Sequence, residues 1–234
     1  MAGKTPRIVD GGREVDAFLD KLAAAPVASR SGLRGRLLFA LDATMSRQPT
    51  WDRACHIQAD MFREADAVGG LDIKLVFFRG YRECKASPWY AGSAPLLKAM
   101  TAIACQGGYT QIERVLRRAA KEAGDGGVNA LVYVGDCCEE EIDAVCAAAG
   151  DLGVRGVPAF LFQEGRDPYA ERVFREAARL TGGAWCRFDE GSASQLRDLL
   201  SAVAVFAAGG RKALADYGER KGGEAHRLAG LIGR

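Results

Sequence analysis

Asp42, Thr44 and Ser46 stand two positions apart in Asp42-Ala43-Thr44-Met45-Ser46, directly after the apolar run Leu37–Asp42. On an extended loop that spacing turns all three side-chain oxygens to one side. Two further oxygen side chains fall in comparable places: Thr110, at the end of Cys105-Gln106-Gly107-Gly108-Tyr109-Thr110, and Asp136, closing the run Ala130–Asp136. Two carboxylates among neutral hydroxyls, with no His or Cys required, make a hard-oxygen set. Such a set suits Mg²⁺, with Mn²⁺ or Ca²⁺ as alternatives, and leaves room for water or an external ligand. The chemistry expected is metal-bridged binding.

The elements that must position these residues follow from hydrophobic periodicity. Short apolar runs at Leu37–Asp42, Ile73–Phe78, Ala130–Asp136, Val157–Phe162 and Ala184–Asp189 read as strands covered on both faces. Between them, apolar residues recur at helical spacing, as in Ala54, Ile57, Met61, Ala65 and Val68, or Ile112, Val115, Leu116 and Ala119. The segment 83–90 follows the second run so closely that only a hairpin can join them, which predicts an antiparallel edge strand; Pro88 suits an edge. The predicted fold class is α/β: a three-layer α/β/α, doubly wound, mostly parallel six-stranded sheet. Residues 1–35 are expected to form a helical extension, 36–208 the domain itself, and 209–234 a basic, Gly-rich tail. In an open sheet of this kind, ligands bind beyond the carboxyl ends of the strands where strand order reverses, and the three oxygen-bearing loops should meet there.

Composition narrows the function. The chain has 234 residues, 48% hydrophobic and 26% charged, an ordinary make-up for a folded domain. Residues 36–208 carry 20 basic and 23 acidic groups, an acidic balance that argues against nucleic acid as a partner. No apolar run approaches the roughly 18 to 20 residues of a membrane span. Seven cysteines without a CxxC pair suit a reducing compartment, so a cytoplasmic location is expected.

Asp42-x-Thr44-x-Ser46, Thr110 and Asp136, set on this predicted topology, resemble the von Willebrand factor type A (VWA) domain and its metal-ion-dependent adhesion site (MIDAS). The resemblance covers about residues 36–205 and is to small cytoplasmic bacterial members of the family. It implies that Ser46 and Thr110 coordinate the metal directly or through water, that Thr44 replaces the usual first Ser, and that Asp42 and Asp136 act mainly through water. It implies also a protein partner that completes the site with an acidic residue, in a setting such as an AAA ATPase, chaperone or stress-response assembly. Gly135-Asp136-Cys137-Cys138 departs from the Asp-Gly of many members.

Structural alternatives stand beside this reading. Thr110 and Glu113 could form a capping box, Asp136 could cap the helix holding Glu139–Ala149, and Ser46 could be a turn residue. Asp42 is harder to explain structurally, because a carboxylate at the buried end of a central strand is costly without a partner. Around the same rim fall Gln48, Trp51, Arg79, Tyr81, Arg82, Tyr109, Glu139 and Glu140, types that could form a docking face. The expected function is a non-enzymatic binding module. The alternatives are a phosphohydrolase using Asp42, against which Thr44 stands where a second carboxylate is needed, and an RNA-linked VWA subunit.

Overall fold

A computed structural model describes residues 10–27, 34–124, 127–188 and 193–221. Six strands form one sheet: β1 (Gly35–Asp42), β2 (Leu71–Arg79), β3 (Glu83–Tyr90), β4 (Ala130–Gly135), β5 (Ala159–Glu164) and β6 (Ala184–Phe188). Their spatial order is β3-β2-β1-β4-β5-β6, parallel throughout except for β3, which runs antiparallel at the edge against β2. The α/β/α class, the mostly parallel six-stranded sheet and the antiparallel edge are as expected from the sequence.

Alternation along the strands splits the core in two. Leu37, Phe39 and Leu41 of β1 belong to one apolar cluster, and Leu38 and Ala40 to the other. The first cluster lies under α1 (Asp10–Ala24), α2 (Gln48–Asp66), α3 (Ser93–Thr101) and α7 (Ala193–Lys221); the second lies under α4 (Ile112–Gly124), α5 (Ile142–Val154) and α6 (Pro168–Thr181). Both faces of the sheet are therefore covered, which is why its central strands read as continuous apolar runs.

Local signals place the elements. In α6, the Asp167 side chain accepts the Ala170 N–H at 2.7 Å, Pro168 takes the first turn, and Gly182 ends the helix at φ 68°. β5 starts at Ala159 rather than at Val157, because Pro158 has no N–H to give the sheet and the Val157 N–H turns back to the Leu152 carbonyl.

At the ends, the expected N-terminal helix is present and the expected C-terminal tail is shortened. The first helix begins at Asp10 and packs on β6, with Phe18 fully buried against Phe160 and Phe162. Residues 209–221, expected in the tail, continue α7 past a break at Gly210 (φ 68°) and bury Ala213, Leu214 and Tyr217 in the first core. Their apolar spacing outweighs the glycines once α2 offers a surface to pack on. The rest of the expected tail, 222–234, lies outside the described residues.

Candidate functional site

β1 pairs with β2 on one side and β4 on the other, so strand order reverses at β1. Asp42 is its last residue, in register with Phe78 of β2 and only 2% exposed. Its Oδ1 accepts the Thr44 N–H at 2.7 Å and its Oδ2 has no hydrogen-bond partner. Burial pushes its pKa up to about 6; hydrogen bonds from the Thr44 N–H and hydroxyl oppose the shift, the Asp136 carboxylate adds to it, and Arg47 counters it. A buried carboxylate with an unused oxygen is the least satisfied group on this rim.

After Ala43 the chain enters a 3-10 turn, Met45–Arg47, and runs straight into α2. The extended loop expected for Asp42, Thr44 and Ser46 is thus replaced by a turn, because Pro49 sits in the first turn of α2 and starts that helix early. Thr44 is buried beside Asp42. The side chain of Ser46 lies outside the described ones.

The turn also delivers a residue that the sequence reading did not single out. Arg47 is 3% exposed, and its Nη1 pairs closely with Glu164 Oε2 and lies 3.7 Å from Asp136 Oδ2. Its Nε and Nη2 have no hydrogen-bond partner. Glu164, at the end of β5, also accepts from the Thr50 hydroxyl and stands 4.0 Å from Arg53. Arg47 occupies the N-cap of α2, where the helix dipole repels a cation and where Ser, Thr or Asp would be favoured. That mismatch was the available signal; the partner, two strands away in the sheet, was not visible.

Thr110 faces a different set of partners. Its N–H donates to Glu139 Oε2 at 3.0 Å, its Oγ1 accepts the Glu139 N–H at 2.9 Å, and its hydroxyl bonds the Glu140 carboxylate. That carboxylate caps α4 by accepting the N–H groups of Ile112 and Glu113, and burial raises its pKa despite those bonds. The Thr110–Glu113 capping box is therefore not formed: Glu140, from another loop, takes its place. Nor does Asp136 cap α5, whose N-cap is Glu141. The loop bearing Thr110 is nevertheless tied to the Asp42 loop, since the Gln106 N–H donates to the Ala43 carbonyl at 2.9 Å. Gly108 permits a second close fit, to the β2–β3 turn: a Cβ there would meet the Gly80 carbonyl oxygen at 2.1 Å.

The structure thus gathers Asp42, Thr44 and Asp136 with Arg47 and Glu164, and engages Thr110 with Glu139 and Glu140. Among the described residues no three His, Cys, Asp or Glu side chains group to hold a metal. A cation here would rely on hydroxyl and water oxygens besides the carboxylates of Asp42 and Asp136. The free, buried Oδ2 of Asp42 beside the Thr44 hydroxyl fits a hard divalent ion of that kind.

Of the expected rim, Trp51 is a correction. It is 2% exposed, its indole N–H donates to the Met100 carbonyl at 3.0 Å, and its ring meets Phe77 edge-on, so it is core. It faces inward because α2 begins at Gln48 and turns this position onto the sheet. Glu140 is half-buried in its capping role and does not offer a free carboxylate. Arg79 forks onto Glu83 and the Ala104 carbonyl. Gln48 and Arg82 are exposed, and Gln48 bonds Asp52. Tyr81 and Tyr109 are 74% and 54% exposed and meet edge-to-face at 5.3 Å. Met45, also missed, is 63% exposed on the same rim.

No family model and no curated protein matches this sequence. Solved structures do. An aerotolerance-related membrane protein from Bacteroides fragilis is similar at a TM-score of 0.54 and 17% identity, over 71% of this chain and 98% of that one. A von Willebrand factor type A structure from Catenulispora acidiphila is similar at 0.58 and 16%, over 74% of this chain and 43% of that one. The SpRpn10 VWA domain is similar at 0.56 and 12%, over 72% and 94%. At these identities the likeness is one of fold. The chain has a VWA-like α/β/α fold, and it spans less than half of the Catenulispora structure. No helix among the described residues is long and apolar enough to cross a membrane.

Proposed function

We propose that this chain is a protein-binding module in which a divalent cation, Mg²⁺ by preference, bridges the Asp42 rim to an acidic side chain of a partner protein. The observation that carries the reading is Asp42: a buried carboxylate at the switch point of the sheet with one oxygen unused. Thr44 and Asp136 stand with it, and in the VWA MIDAS pattern Ser46 and Thr110 would add further hydroxyls. Tyr81 and Tyr109, exposed and in edge-to-face contact, are of the kind that carries interface energy, and Met45 is exposed just after β1. The module is read as non-enzymatic, since Thr44 offers no acid or base two residues after Asp42. Its setting is read as an intracellular assembly, with AAA ATPases, chaperones and stress-response complexes as the partners to try first.

The test is a Mg²⁺ and Mn²⁺ titration of chelator-stripped protein by calorimetry and thermal shift, comparing wild type with Asp42→Ala. Heat and a rise in Tm in the wild type alone support the reading. No response at millimolar metal in the folded wild type refutes it.

A further inference from the structure

The carboxyl rim already contains a cation. Arg47 is buried to 3% exposure, paired with Glu164, and reaches Asp136 at 3.7 Å through the same Nη1. Counting formal charges at neutral pH, Asp42, Asp136 and Glu164 bring three negative groups, Arg47 one positive at their centre, and Arg53 a second positive 4.0 Å from Glu164. The two carboxylates expected to serve a metal are thus partly countered from within. We propose that Arg47 is a resident counter-ion that competes with a divalent cation for Asp136, so that metal binds only when Asp136 is released from the guanidinium.

This rests on the metal-site reading above and adds how that site is regulated. Three observations lead to it. The guanidinium sits at the N-terminus of α2, where it is electrostatically misplaced unless carboxylates hold it. The hold is uneven: the pair with Glu164 is close, although Thr50 and Arg53 share that carboxylate, whereas the contact with Asp136 is long. And Arg47 keeps two nitrogens, Nε and Nη2, without partners while Asp42 keeps one oxygen without a partner. The weaker contact is the one a divalent ion would break. Arg47 would then stay with Glu164 at a cost set by repulsion between like charges in a site shielded from water, where such terms are larger than at the surface.

A competing fixed charge makes the affinity a property of Arg47 and Glu164 as well as of the ligands. Arg47→Gln removes the charge and leaves a donor for Glu164. Glu164→Gln removes the stronger partner and drives the guanidinium onto Asp136. Arg47→Lys retains the charge. The experiment is calorimetric titration of Mn²⁺ into each chelator-stripped full-length variant, with circular dichroism to establish folding. The expected result is at least a tenfold tighter Kd for Arg47→Gln, a Kd within threefold of wild type for Arg47→Lys, and at least a threefold weaker Kd for Glu164→Gln. Equal Mn²⁺ affinity in wild type and folded Arg47→Gln overturns the competition and leaves the metal site standing. Absence of Mn²⁺ heat in both overturns the competition and the metal site together. If Arg47→Gln does not fold, Glu164→Gln decides: weakened binding supports the competition, and unchanged binding overturns it.

Discussion

Thr110 and Glu139 exchange two hydrogen bonds across 29 positions of sequence, N–H to Oε2 in one direction and N–H to Oγ1 in the other. The pair, with Glu140 capping α4, fastens the loop before α4 to the loop after β4. Thr110→Val keeps the shape and leaves the Glu139 N–H without its acceptor. We expect a loss of about 0.5–1.5 kcal/mol in urea denaturation with chelator present, the net worth of a hydrogen bond whose stranded donor, on the exposed Glu139, can turn to water. A hydroxyl serving only as a metal ligand would leave chelated stability unchanged.

Asp42 makes stability depend on pH. In the folded protein it holds its proton up to about pH 6, and in the unfolded chain it releases it near 3.8. Between those values the folded state binds more protons, so stability falls as pH rises through the window and stays lower above it, by about 3 kcal/mol at most. Asp42→Asn keeps an oxygen for the Thr44 N–H and removes the charge. In chelator it should be more stable than wild type at pH 8 and nearly equal to it at pH 4, as measured by paired denaturant titrations.

Glu164 holds a buried cation. Glu164→Ala leaves Arg47 with the long Asp136 contact and should cost about 3–5 kcal/mol, the penalty for stranding a buried charge. Adding Arg47→Met to Glu164→Ala should recover part of that loss, because the stranded charge is gone. A double-mutant cycle by thermal unfolding reads the coupling.

Core and surface aromatics on this side of the molecule should separate cleanly. Trp51→Ala removes a fully enclosed ring and its bond to Met100, and should cost about 3–5 kcal/mol. Tyr81→Ala and Tyr109→Ala should each change stability by about 0.5 kcal/mol or less, their rings being mostly in solvent. If the rim docks a partner, those two variants weaken its capture without moving Tm.

The sequence by itself determined the architecture and where Asp42 falls on it. Strand and helix periods are local, so the apolar runs around Phe39, Val132 and Phe160 announce strands buried on both faces, and the close spacing of 73–78 and 83–90 announces the antiparallel edge. Topology then places Asp42 at the switch point, because the C-terminal end of a first strand lies there in any sheet of this order. Tertiary structure alone decided who meets whom around that residue. The choice of Glu164 and Asp136 by Arg47, the capping of α4 by Glu140 and the inward turn of Trp51 all join segments far apart in the chain. Periodicity carries which face a residue takes. The partner of a charge or the depth of a ring depends on neighbours through space, and those exist only once the helices have closed over the sheet.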